Sequence, residues 1–71
     1  NKPINSISFK VKNVDEVDIL SKMLKKGGDV DVNINIVSND KAYKIKLKDK
    51  RFIDRKTVNL IKNQGILTTI H

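Results

Sequence analysis

Hydrophobic and polar residues alternate strictly over residues 7–12, with Ile7, Phe9 and Val11 on one side and Ser8, Lys10 and Lys12 on the other. That is the period of a half-buried strand. The period then lengthens. Val17, Leu20 and Leu24, flanked by Ile19 and Met23, recur at helical spacing. Asn13 with Glu16 fits a capping box, and Asp15 as cap, with Val14 and Ile19 as staple, is the alternative. Acids crowd the first turn and Lys25 and Lys26 the last, as the helix dipole favours, and Gly27 or Gly28 is expected to supply the left-handed stop.

Alternation returns over residues 30–36, where Val30, Val32, Ile34 and Ile36 share a face, and again over residues 43–48, where Tyr43, Ile45 and Leu47 do. With Asn39 and Asp40 as loop residues, Ile36 opposes Tyr43, Ile34 opposes Ile45 and Val32 opposes Leu47. The same register sets Asn35, Asn33 and Asp31 against Lys44, Lys46 and Lys48. A slip of one residue would turn every apolar side chain to water, so the hairpin is well specified. The "RFID" segment adds a short extension, after which Asp54 caps a second helix, with Ile53 and Val58 as its staple. Val58, Leu60 and Ile61 lie along that helix, Gly65 ends it, and "ILTTI" forms a last strand whose buried face the pattern leaves open.

The predicted order is therefore βαββαβ. "FKVK" at residues 9–12 echoes "YKIK" at 43–46, each followed by a helix, a Gly and a strand. The expected architecture is α+β, a small two-layer sandwich of ferredoxin-like or closely related topology with one open sheet face. That face would carry Ser8, Lys10, Lys12, Asp31, Asn33, Asn35, Lys44, Lys46 and Lys48.

Length and charge sharpen the picture. A chain of 71 residues allows one small domain, burying only about 60 % of its unfolded surface. A single domain over residues 5–71 is expected, with residues 1–4 disordered, and a start at Asn rather than Met suggests a fragment of a longer chain. Cys is absent, which removes disulfides and thiolate metal sites. No apolar run reaches the roughly 18 residues of a membrane span, so no membrane partner is expected. The net charge of +7 arises entirely after residue 40. The densest stretch, "AYKIKLKDKR", reflects alternation, which explains the spacing of Lys44, Lys46 and Lys48 without any ligand. The abundance of Lys, Ile and Asn, all encoded by AT-rich codons, offers genome composition as a competing reason for the lysines, and charged edges also resist strand addition. A solvated face and a contact surface both remain open.

Chemistry offers little. The one His, His71, is expected to be frayed at the chain end; Gly27 and Gly28 follow a helix rather than a strand; and the acids at 15, 16 and 18 suit a helix first turn. No cofactor, metal site or catalytic residue is expected. An RNA-recognition module has this element order but stacks bases on aromatics of its open face. Here Phe9 and Tyr43 fall on the buried phase, so base readout is not expected. A weak, sequence-blind contact with a DNA backbone stays open, and so does contact with an acidic protein patch. An amino-acid-sensing domain has a related order, but its ligand loops need glycine-rich turns that only "KKGGD" approaches.

Taken together, "ISFKV", "ILSKMLKKGGDVDVNINI" and "KAYKIKLKDKRFIDRKTVNLIKNQGI" resemble the extreme C-terminal domain of the bacterial DNA polymerase III alpha subunit. The resemblance runs over about residues 5–70. Leu20, Leu24, Gly28, Val30, Val32, Leu47, Ile53, Asp54, Leu60 and Gly65 carry it. It implies a non-catalytic piece of a cytoplasmic DNA-directed DNA polymerase, a nucleotidyltransferase of DNA replication whose palm aspartates and clamp-binding peptide lie upstream. It also implies a partner, the clamp loader tau subunit. No residue-level tau motif comes with it, so the candidate partner-binding residues are physical choices: Lys10, Lys12, Lys44, Lys46, Lys48, Leu67 and Ile70.

Overall fold

The computed structural model describes residues 3–71. Its elements are β1 (Ser6–Val11), α1 (Val14–Met23), β2 (Lys25–Ser38), β3 (Lys41–Lys46), β4 (Arg51–Phe52), α2 (Arg55–Asn63) and β5 (Leu67–Ile70). They build a small α+β unit around a five-stranded mixed sheet of order β3-β2-β1-β5, with β4 attached to β2. Of the leading segment expected to be disordered, Asn1 and Lys2 lie outside the described residues, and Ile4 packs against the core.

The predicted hairpin is present in its predicted register, Ile36 opposite Tyr43 and Ile34 opposite Ile45. Asn39 and Asp40 take the positive φ values, 49° and 65°, that a two-residue loop of matching twist requires. β1 lies beside β2 in parallel, Phe9 opposite Ile34, and β5 runs antiparallel on its other side, Phe9 opposite Thr68. This differs from the ferredoxin-like expectation. There the third strand separates the first from the second in a split βαβ unit, and the sheet has four strands; here β1 and β2 are direct neighbours and β4 is added. The two echoed halves are not equivalent either, since β3 and β5 sit at opposite edges of the main sheet. Alternation could not see this, because β1 shows the same apolar face to whichever strand adjoins it.

Asn13 rather than Asp15 caps α1. The Glu16 N–H donates to Asn13 Oδ1 at 3.0 Å, and the Lys12 N–H donates to Glu16 Oε1 at 3.2 Å. The helix ends earlier than its glycines suggest. Leu24 is already extended, and Lys25 and Lys26 belong to β2, where they pair with Phe52 and Arg51. Turning the chain at Leu24 buries that side chain in the core and gives β4 a partner. The glycines serve the irregular stretch that follows, between Lys26 and Val30. Gly27 has φ +93°, and a Cβ on Gly28 would collide with the Arg51 carbonyl and Phe52 Cα. They make a bulge, not a helix stop.

The second helix follows expectation. The Thr57 N–H donates to Asp54 Oδ1 at 2.8 Å, Ile53 and Val58 are both buried, and Gly65 closes the helix at φ +82°. The core joins Ile7, Phe9 and Val11 of β1 to Leu20 of α1 and Leu24 at its C-terminal end, Val32 and Ile34 of β2, and Val58 and Ile61 of α2. Ile19 and Leu60, adjacent to core positions in sequence, lie on the helix flanks and are exposed. Tyr43 and Ile45 point to the helix side as expected but stay 54 % and 38 % exposed. The helices pack over β1, β2 and β5, and β3 extends beyond them.

Two stability tests follow. Gly28→Ala must displace backbone rather than a side chain, so it lowers unfolding stability by about 2 kcal/mol in denaturant titration. Accepting the Thr57 N–H holds the Asp54 carboxyl below its ordinary 3.8. Its contribution is therefore complete above the unfolded value and disappears as pH falls through the folded one. Asp54→Asn, which keeps the cap acceptor, is expected to flatten the acid limb of a melting-temperature profile below about pH 4.

Candidate functional site

Both helices cover one side of the sheet, so the other side is open, and the register arranges it in rows. One row runs Lys46, Asn33, Ser8, Thr69 across β3, β2, β1 and β5; the next runs Lys44, Asn35, Lys10, Leu67. Strands lie roughly 4.8 Å apart, which puts Lys10 and Lys44 about 10 Å from each other across Asn35. Among the described residues none of Lys10, Lys44 and Lys46 is in an ion pair; the two pairs found, Lys22–Asp18 and Lys26–Asp49, lie elsewhere.

Ser8, Asn33, Asn35, Lys44, Thr69 and His71 line a shallow hollow of about 380 Å³ in this face. At one end His71 is held in place rather than frayed. Its N–H donates to the Ser6 carbonyl at 2.9 Å, and its Nε2 shares a 2.7 Å hydrogen bond with Ser8 Oγ, the tautomer deciding the donor. Asn35 Oδ1 is buried without a hydrogen-bond partner. The hollow thus combines one ammonium group with hydroxyls, carboxamides and an imidazole, and it contains no aromatic stacking platform. Tyr43, though exposed, is on the opposite side. Such a surface suits hydrogen bonds and charge attraction to an anionic partner rather than the stacking of bases.

The residues predicted as partner-binding do not all meet. Lys10, Lys44 and Lys46 share the open face. Lys12 follows the end of β1 and, with Leu67 and Val37, lines a second hollow of about 270 Å³ at the end of that face. Leu67 is 67 % exposed beside Lys10. Lys48 falls outside β3, in the bend that leads to β4, so it is not part of the strand face as expected. Ile70 opposes Ile7 and so belongs to the helix side. Thr69 and His71 escaped the sequence reading because "ILTTI" has apolar residues in both phases, and only the pairing of β5 with β1 assigns its faces.

Arg51 departs furthest from expectation. It ends the basic stretch in the sequence but is 7 % exposed. Its Nη1 donates to the Leu24 carbonyl at 2.6 Å, and its Nε to the Asp49 carbonyl at 3.4 Å. The guanidinium thereby satisfies a carbonyl at the C-terminal end of α1, where the helix dipole favours a cation. It is a structural member of the stretch. Among the described residues no three His, Cys, Asp or Glu side chains gather as a metal site would require, and no helix is long and apolar enough to cross a membrane.

Comparison with known proteins returns no matching family model, no matching curated protein and no matching solved structure.

The division within the basic stretch is testable. Arg51→Met strands the Leu24 carbonyl and is expected to cost about 2 kcal/mol, the range for a charge-assisted hydrogen bond. Lys50→Ser, at an exposed neighbour, should change stability by under about 0.5 kcal/mol in the same denaturation assay.

Proposed function

We propose that this chain is a non-catalytic interaction domain. In the reading that its sequence resemblance supports, it belongs to a DNA polymerase III alpha subunit and tethers that polymerase to the clamp loader tau subunit during DNA replication. The observation that carries the interaction reading is the two-sided sheet. One side is used up by helices and core, while the other presents Lys10, Lys44 and Lys46 without acid partners, and Leu67 and Val37 at its end. A surface that mixes unpaired cations with exposed apolar side chains fits association with another macromolecule. A tether works by raising effective concentration, so a face of this modest size is sufficient for the role.

A second reading rests on the same lysines. Carried by β1 and β3 on either side of β2, they can follow a phosphate backbone without reading bases, which makes a weak DNA-binding module of the domain.

The two readings separate in a titration of the chain against the tau C-terminal region and against a single-stranded DNA oligonucleotide, followed by amide chemical shifts at low and physiological salt. The tether predicts saturable shifts with tau that survive physiological salt. The DNA module predicts shifts with the oligonucleotide alone, centred on Lys10, Lys44 and Lys46. In that case each lysine-to-serine substitution reduces the salt slope by about one. Shifts with neither partner overturn both.

A further inference from the structure

β3 ends the main sheet, so among the described residues one edge of it is unpaired. The phase of that edge follows from a single bond. The Leu47 N–H donates to the Val32 carbonyl at 3.0 Å. In an antiparallel ladder the hydrogen-bonded pairs recur at every second residue. Tyr43 and Ile45 therefore direct their N–H and C=O groups to β2, and Ala42, Lys44 and Lys46 direct theirs outward.

The side chains along the edge divide by face. Lys44 and Lys46 stand on the open side, opposite Asn35 and Asn33. Tyr43 and Ile45 stand on the helix side, exposed because neither helix reaches them. Over Tyr43–Lys46 an added strand would meet cations on one face and apolar side chains on the other, while at the hairpin end Ala42 falls in the lysine phase and Lys41 in the apolar one. A second copy of β3 is a poor occupant, since pairing the two edges brings lysine against lysine, and like charges on paired strands repel. Charge complementarity selects a strand of the opposite sign.

We propose that the free edge of β3 binds an extended peptide segment in which acidic and apolar residues alternate, adding it to the sheet as a further strand. Acidic side chains would lie over Lys44 and Lys46 and apolar ones against Tyr43 and Ile45, while the outward backbone groups of Ala42, Lys44 and Lys46 supply the hydrogen bonds. The proposal rests on the reading of the domain as an interaction module and specifies the chemistry of its partner.

The test uses the 71-residue chain and an end-blocked synthetic peptide alternating Glu with Ile and Val. A peptide of the same composition with its acids grouped, a Lys counterpart and a DNA oligonucleotide serve as comparisons. Amide hydrogen exchange is the primary readout. On binding the alternating peptide, exchange at Ala42, Lys44 and Lys46 should slow at least tenfold, while Tyr43 and Ile45, already bonded to β2, change little. The double substitution Lys44→Glu, Lys46→Glu should weaken that peptide roughly tenfold and favour the Lys counterpart. Lys44→Pro removes one outward donor without touching the β2 ladder and should also weaken binding.

Equal binding of the grouped peptide, unchanged exchange at the even-numbered amides, self-association through this edge, or shifts with DNA alone would each overturn the proposal. If tau binds away from β3, the edge proposal falls and the tether stands. If the peptide binds at β3 and tau does not bind at all, the tether falls and the edge proposal stands.

Discussion

Everything in this small domain depends on the side-chain alternation of β1, which lies between β2 and β5. Ile7, Phe9 and Val11 enter the core completely, so Ser8 and Lys10 must face away from it. Two partner ladders transmit this choice. Through the parallel ladder, the inward residues of β1 meet Val32, Ile34 and Ile36; through the antiparallel one, the outward residues meet Leu67 and Thr69. A one-residue shift of β1 would expose three large apolar side chains. At about 1.5–3 kcal/mol for each, that is a large share of what a domain of this size has in total stability. The open polar face is thus a consequence of the core, and its rows of Lys, Asn, Ser and Thr hold still because the other side cannot move.

The junction between α1, β2 and β4 shows how a short chain makes a change of direction with few residues. A helix end leaves carbonyls without partners. Here Leu24 turns directly into a strand, Arg51 reaches back to the Leu24 carbonyl, and Gly27 and Gly28 allow the bulge that lets Arg51 pair with both Lys26 and Val30. These parts support each other: the bulge admits the β4 backbone, β4 places Arg51, and Arg51 closes the helix. The cationic stretch after the hairpin is therefore two things at once. Lys44 and Lys46 are surface charge, and Arg51 is internal structure.

Exposure on β3 ties the fold to the interaction reading. The two helices, of ten and nine residues, pack over β1, β2 and β5 and do not reach β3. β3 is left with solvent on both faces and with an unpaired edge. Its apolar phase is legible as core in the sequence, yet the structure leaves that phase uncovered, at one of the two edges of the main sheet.

Much of this architecture was determined by the sequence alone. The hairpin and its register follow from alternation around Asn39 and Asp40, the second helix from Asp54, Val58 and Gly65, and the outward course of Lys10, Lys44 and Lys46 from the two-residue period of strands. These features depend on contacts close in sequence or on a burial pattern that admits a single phase. Other features were decided only by the tertiary structure: that β1 pairs directly with β2, that β5 takes the remaining side of β1, that Thr69 and His71 join the open face, and that Arg51 turns inward. Each depends on which distant segment arrives as neighbour. A strand presents the same apolar face to several possible neighbours, and a cation reads the same in sequence whether it meets water or a helix end. The choice is made by the packing of the whole chain.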